Sequence, residues 1–204
     1  MKKLGVILSV LLLSGQSLWA SPKELNHGKM EVAVFGAGCF WCVEAVFQEL
    51  KGVYSVESGY TGGTYANPTY KEVSSGKTGH AEVAKITYDP SIVSFETLLA
   101  VFFKTHDPTT LNYQGADHGT QYRSAIFYAN DYQKETAERI IKELNAEKAY
   151  PKPIVTEVVP LTKFWVAENY HQDYYSNNPS QGYCTYVIQP KLEKFRKVFK
   201  DQLK

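Results

Sequence analysis

Cysteine, methionine and net charge are all scarce in this chain of 204 residues, and each scarcity removes a class of protein from consideration. The three cysteines, Cys39, Cys42 and Cys184, are too few for a disulfide-stapled scaffold, and an odd number leaves one thiol over in any intramolecular pairing. Lys and Arg number 22 against 21 Asp and Glu, a formal charge of +1, so no basic excess suggests a nucleic-acid partner. The histidines are scattered and no second Cys pair accompanies Cys39 and Cys42, a poor match to zinc-ligand spacing. Position 43 is Val43 rather than the His that a covalent haem-attachment motif needs. Internal repeats, low-complexity tracts and linkers are missing as well, so the chain reads as one domain with one core.

Long apolar runs are equally sparse. The exception, residues 4–13, follows Lys2 and Lys3 and is too short to serve comfortably as a permanent membrane span. With Leu18-Trp19-Ala20 ahead of Ser21-Pro22, it has the three-part layout of a secretory signal peptide. The sequence therefore predicts residues 1–20 as a signal peptide cleaved after about Ala20, and residues 21–204 as a single exported domain of the bacterial periplasm with no membrane span left after cleavage. An uncleaved anchor is the main rival, while a lipoprotein is disfavoured because the first cysteine beyond the junction is Cys39. Cleavage removes two lysines and no acids, which takes Lys plus Arg from 22 to 20 and the formal charge from +1 to −1.

Hydrophobic periodicity supplies the elements. Residues 31–35 and 53–60 read as strands, and residues 61–80, rich in Gly, Thr, Ser, Asn and Tyr, as an ordered loop excursion. Strict alternation over residues 81–88 places Glu82, Ala84, Ile86 and Tyr88 on one face. Ser94 can cap a helix with Phe95, Leu98, Leu99, Phe102 and Phe103 as its stripe, and Asn130 with Gln133 resembles a capping box opening a helix to about Ala149. Residues 124–128 and 154–159 give further strands. The stretch from Tyr170 to Tyr186 looks irregular, a strand-like run follows Thr185, and Pro190 can start a final helix. That helix carries Lys191, Lys194, Arg196, Lys197 and Lys200 among Leu192, Phe195 and Phe199, the pattern of a solvated face on a packed helix. Strands and helices intermixed with long loops predict an α+β domain rather than a doubly wound parallel sheet.

The densest signal is Gly36-Ala37-Gly38-Cys39-Phe40-Trp41-Cys42-Val43-Glu44. Beyond the glycines, Val43, Val46, Phe47 and Leu50 recur at helical spacing, and Gly52 can end that helix, so Cys39 falls at or just before its N-terminus. Unpaired backbone N–H groups and the positive end of the helix dipole favour a thiolate there, the reactive form of cysteine. Cys39 and Cys42 also meet the Cys-x-x-Cys spacing of disulfide oxidoreductases, but two bulky aromatics fill the middle and no second βαβ unit of the expected kind follows. Two small buried thiols on a helix is the plainer alternative, and it leaves the framing glycines and aromatics unexplained.

These residues, together with Gly59-Tyr60-Thr61-Gly62-Gly63, Asn67-Pro68-Thr69-Tyr70, Gly79-His80-Ala81-Glu82-Val83, His106-Asp107-Pro108, Asp117-His118-Gly119-Thr120-Gln121-Tyr122-Arg123-Ser124 and Tyr170-His171-Gln172, closely resemble the peptide methionine sulfoxide reductases of type A. The blocks occur in that family's order and spacing over about residues 31–184. The resemblance implies a two-layer sandwich on a mixed or antiparallel sheet with a ferredoxin-like core and long ordered loops. It implies that Cys39 reduces the S epimer of methionine sulfoxide, free or in proteins, without metal or organic cofactor. By the same resemblance Glu82 is the acid, Tyr70 and Tyr122 bind the sulfoxide oxygen, Asp117 supports that network, and Phe40 and Trp41 form the pocket for the substrate methyl group. His80, His118 and Arg123 would be supports. Cys184 matches the resolving position of many members, whereas Cys42 replaces a glycine common in the motif and is the alternative resolving or relay thiol. A thioredoxin-like dithiol would supply electrons to a monomeric repair enzyme.

The residues support part of this independently. Attack on a sulfoxide sulfur requires a thiolate, and the oxygen gains negative charge that a proton donor must neutralise. Glu82, on an apolar strand face, is placed to stay protonated near neutral pH because burial disfavours its charged form. A general thiol–disulfide oxidoreductase using Cys39 and Cys42 is the rival enzyme, and an aromatic-rich binding module with structural cysteines is the rival from another class.

Overall fold

The computed structural model describes residues 29–204, so the predicted signal peptide lies outside the described residues. Its centre is a six-stranded sheet formed by β1 (Glu31–Ala37), β2 (Val53–Thr61), β3 (Ala81–Tyr88), β6 (Ser124–Tyr128), β7 (Glu157–Pro160) and β8 (Trp165–Val166). A separate two-stranded ribbon pairs β4 (Tyr113–Gln114) with β5 (Asp117–His118). The strand order in the main sheet is β7-β6-β1-β3-β2-β8, with every neighbour antiparallel except β6 and β7. The α+β expectation holds, with a mixed sheet.

Pleating sorts the strands between two cores. Ala33, Phe35 and Ala37 of β1 and Ala84, Ile86 and Tyr88 of β3 join the large core, whereas Val34, Ala81 and Val83 join a small cluster on the opposite face. The large core is closed by α1 (Phe40–Phe47), α3 (Phe95–Thr105), α4 (Asp131–Ala146) and α6 (Gln189–Val198), through side chains such as Phe47, Phe102, Ile140 and Phe195. Glu82 has the same parity as Ala84 and Ile86, so its strand aims a carboxyl into the helix-covered side.

Local signals set the helix starts. Ser94 accepts the Thr97 N–H at 3.1 Å, and Asn130 accepts the Gln133 N–H at 2.9 Å. The Gln133 amide reaches past the capping position to receive the Ala129 N–H and to donate to the Val32 carbonyl, which ties α4 to β1. That second helix ends at Ala146, short of the expected Ala149. The loop excursion of residues 61–80 contains a short helix, α2 (Tyr70–Ser74), started by a full capping box between Thr69 and Glu72.

The stretch expected to be irregular is mostly helical. A 3-10 turn (Asn169–His171) and α5 (Tyr174–Asn177) precede a π turn (Cys184–Ile188) that runs directly into α6. The run after Thr185 is therefore not a strand; Pro190 stands in the first turn of α6, as expected, although the helical path already begins in the π turn. A proline has no N–H to give and its ring collides with the carbonyl four residues back, here that of Tyr186; the wider π turn ahead of it gives the ring room. Residues 185–188 are β-branched or aromatic and by type suggest a strand; of them only Ile188 is buried, and the turn's contacts with α1, distant in sequence, decide its form.

Candidate active site

Cys39 is the N-cap of α1, at the turn where β1 hands the chain to the helix. Gly38 makes that turn with φ +89°, and a Cβ there would stand 2.7 Å from the Cβ of Gln114, so only glycine fits. The Glu82 carboxylate oxygen Oε2 accepts the Phe40 N–H at 3.1 Å, occupying the first unpaired donor of the helix one residue from the Cys39 sulfur. Glu82 is 1% exposed, and burial overrides the stabilising Phe40 bond to push its pKa from 4.5 up to about 8. A protonated acid therefore stands beside Cys39 at neutral pH, as the strand alternation predicted.

The thiol itself departs from the expectation. Cys39 is 8% exposed, and burial, followed by its hydrogen bond with Cys42 and the charge of Glu82, holds its pKa well above the ordinary cysteine value. The Trp41 N–H pulls the other way and does not compensate. A position at a helix start does not outweigh removal from water, so the unliganded Cys39 is a thiol. Of the pair it is Cys42 whose charged form is favoured, its pKa lowered to about 7 chiefly by the hydrogen bond from Cys39, with the Lys191 ammonium and the Tyr183 hydroxyl acting in the same direction. Cys184 is fully buried at the start of the π turn, and its pKa is raised by burial and then by the charge of Cys42. All three sulfurs are free, and the charge of Cys42 raises the pKa of both of the others.

Aromatic rings surround this cluster. Phe40 is completely buried against Tyr60, Tyr70 and His171, so of the two rings expected to form a pocket wall only Trp41 meets solvent. Trp41 stacks flat on Tyr174, 3.7 Å between centroids, and its indole N–H donates to His171 Nδ1 at 3.1 Å. Tyr70 and Tyr122 are half-buried, and burial followed by the charge of Glu82 raises the pKa of both, which keeps each hydroxyl a hydrogen-bond donor. Asp117 is tied to the same cluster: the Tyr183 hydroxyl donates to its Oδ2 at 2.5 Å and stands 3.8 Å from the Cys42 sulfur.

The expected supports divide. Arg123 is buried and gives hydrogen bonds to the carbonyls of Thr120 and Gly79 and to Glu157, fastening the loop that carries Asp117 and Tyr122. His80 accepts the Gly63 N–H at Nδ1, so Nε2 carries the proton and donates to the Tyr65 carbonyl; it braces the loop beyond β2. His118 is exposed and stacks on Tyr113 within the ribbon, away from the sulfurs' hydrogen bonds. Among the described residues no group of three or more His, Cys, Asp or Glu side chains could hold a metal ion.

Comparison with known proteins identifies the family. The family model described as peptide methionine sulfoxide reductase matches residues 31–203. The peptide methionine sulfoxide reductase MsrA of Deinococcus radiodurans is 55% identical over 174 residues, covering 85% of this chain and 84% of its own. This chain belongs to the peptide methionine sulfoxide reductase family. Two solved structures are similar. Methionine sulfoxide reductase A of Corynebacterium diphtheriae has a TM-score of 0.69 at 37% identity, covering 79% of this chain and 81% of that one. Reduced Mxr1 from Saccharomyces cerevisiae has a TM-score of 0.72 at 32% identity, covering 83% and 97%. Mxr1 has also been solved in complex with Trx2.

As a member of this reductase family the chain is an oxidoreductase, and several residues that sequence reasoning passed over touch this cluster. His171 lay inside a recognised block without a role, yet it holds the Trp41 indole. Glu168 receives both the Tyr60 hydroxyl and the Tyr70 N–H, fixing the start of α2 against β2. Glu44, buried with a pKa raised to about 7, accepts the Tyr174 N–H at 3.3 Å and so holds the ring that stacks on Trp41. Tyr183 gave one usable signal, its place next to Cys184.

Proposed function

We propose that this reductase converts the S epimer of methionine sulfoxide, free or within oxidised proteins, to methionine through a sulfenic acid on Cys39. The single observation that carries the reading is the buried, protonated Glu82 held by the Phe40 N–H beside the Cys39 thiol, with two tyrosine hydroxyls around it. The Trp41 ring and its partner Tyr174 offer the substrate's methyl group an apolar face, because sulfur-bound methyl groups pack well on aromatic rings. The Tyr70 and Tyr122 hydroxyls donate to the sulfoxide oxygen. The proton of Cys39 shifts along its hydrogen bond to Cys42, the thiolate so formed attacks the sulfoxide sulfur, and Glu82 protonates the oxygen as charge develops on it. The net change is Cys39 thiol plus sulfoxide giving Cys39 sulfenic acid plus thioether.

A second thiol then condenses with the sulfenic acid, forming a disulfide and releasing water. Cys184 is proposed as the thiol that closes the disulfide seen by the donor. Cys42 is the relay, favoured because it is hydrogen-bonded to Cys39 and felt electrostatically by Cys184. Two electrons and two protons from a thioredoxin-like dithiol restore the thiols. Export to the periplasm is proposed from the charged and apolar layout of residues 1–20, with residues 21–204 as the mature monomeric domain. The test is consumption of methyl sulfoxide with dithiothreitol as reductant. The parent protein is expected to turn over and Cys39→Ser to be inert; sulfoxide reduction by Cys39→Ser, or insulin reduction with no sulfoxide consumption, overturns the assignment.

A further inference from the structure

The face beside the π turn carries a concentration of charge that, Lys191 apart, the reaction leaves unused. Lys191, Lys194 and Lys197 from α6 and Lys104 from the end of α3 line one cleft of about 840 Å³, in which Asp107 is the single carboxylate. The whole chain has a formal charge of only +1, so four lysines against one acid in one cleft is local enrichment rather than general basicity. The π turn sends Val187 into the lining of the cleft and Tyr186, the residue before it, outward; Tyr186 is 82% exposed, the highest value among the described large hydrophobic residues that reach solvent. The cleft comes near the sulfur cluster at two points, although none of the three cysteines lines it. Its Gln114 packs against Gly38, and its Lys191 is close enough to Cys42 to favour that thiolate. None of Phe40, Trp41, Tyr70, Glu82 or Tyr122 lines it, so it approaches the cluster from a different direction than the sulfoxide.

We infer that this face, with Tyr186 as its apolar anchor and Lys194 and Lys197 as its charged rim, is the docking surface for an acidic dithiol protein that re-reduces the enzyme. The inference rests on the reading under Proposed function. The donor must bring a thiolate to the Cys184 end of the disulfide, and Cys184 begins the helical turn whose next residues form this face. Its thiolate attacks the disulfide, forming a mixed disulfide and releasing one thiol of this chain; its second thiol then displaces the other and leaves as a disulfide. Complementary charge accelerates such encounters, and an exposed aromatic flanked by lysines supplies the contact that a short-lived electron-transfer complex needs.

The experiment uses the double reversal K194E/K197E and the single variant Y186A, leaving Lys191 intact because it acts on Cys42. Turnover of methyl sulfoxide is measured with two reductants, dithiothreitol and a thioredoxin of net negative charge kept reduced by its reductase. The double reversal is expected to lower kcat/KM for the thioredoxin by about tenfold or more at low salt, to flatten its salt dependence, and to leave the dithiothreitol rate unchanged. Y186A is expected to raise the thioredoxin KM alone. Reversal of Lys134 and Lys142, on α4 outside the cleft, should change neither reductant. An unaltered thioredoxin kcat/KM in K194E/K197E, an equal loss from the α4 reversal, or a loss that appears only with an acidic oxidised protein as substrate overturns the docking surface. Absence of dithiothreitol turnover in the parent would instead remove the reductase reading beneath it.

Discussion

Replacing Glu82 with Gln should stabilise the protein at alkaline pH while disabling it. In the folded state the Glu82 pKa stands at about 8 against an ordinary 4.5, because burial penalises the carboxylate more than the Phe40 N–H rewards it. The folded chain therefore binds a proton that the unfolded chain gives up, so the contribution is fully present below pH 4.5 and is lost as pH rises through 8. The shift of about 3.5 units corresponds to roughly 5 kcal/mol at the alkaline limit, and between pH 5 and pH 9 the accumulated difference is about 4 kcal/mol. Glu82→Gln keeps an oxygen for the Phe40 N–H and has nothing to ionise. Any fixed cost of seating its NH2 group applies at both pH values and cancels in the comparison. Urea unfolding of parent and variant at pH 5 and pH 9 measures this: the stability gap should move in the variant's favour by about 4 kcal/mol across that range. Single-turnover reduction by the parent should fall above about pH 8 as the acid ionises, and the variant should be slower by about 10²-fold or more below that pH. A stability gap that stays constant with pH, or an unchanged single-turnover rate, would refute the assignment of Glu82 as a neutral buried acid.

Three further outcomes follow from the same geometry. Cys184→Ser should complete one turnover, releasing one methionine per enzyme in a rapid-quench assay, and then fail to recycle with a dithiol; sustained steady-state turnover would transfer the resolving role to Cys42. Tyr183→Phe removes a hydroxyl that sits between Asp117 and the Cys42 sulfur, so the Cys42 pKa should rise above about 7 in thiolate absorbance titrations and disulfide formation should slow. Gly38→Ala places a methyl group against Gln114 at φ +89° and should cost about 1–3 kcal/mol in urea unfolding, with a larger loss of sulfoxide reduction as Cys39 is displaced.

What was legible in the sequence was local. Alternation over residues 81–88 placed Glu82 on the core face of β3, and Ser94 and Asn130 announced two helix starts because a cap needs only a side chain and an N–H three residues away. The glycines before Cys39 marked a turn that the backbone does make. Tertiary physics was not legible. The hydrogen bond from Phe40 to Glu82 spans 42 residues, the one from Tyr183 to Asp117 spans 66, and the Trp41 bond to His171 spans 130. The direction of the Cys39 shift was misjudged for a related reason. Helix-terminus electrostatics can be read from nine residues, whereas desolvation depends on the whole core closing over the sulfur. The π turn at Cys184–Ile188 escaped because its residue types favour strands, and its helical form is set by packing against α1, far away in sequence.

The most direct test of the account gives the Cys42→Ser/Cys184→Ser double variant one equivalent of methionine S-sulfoxide and follows it by mass spectrometry. With no second thiol to condense, one methionine should appear per enzyme, more slowly than in the parent because Cys42 no longer takes the Cys39 proton, and one oxygen atom should be found on Cys39, trappable as a sulfenic acid. Methionine formed while Cys39 remains an unmodified thiol would contradict it.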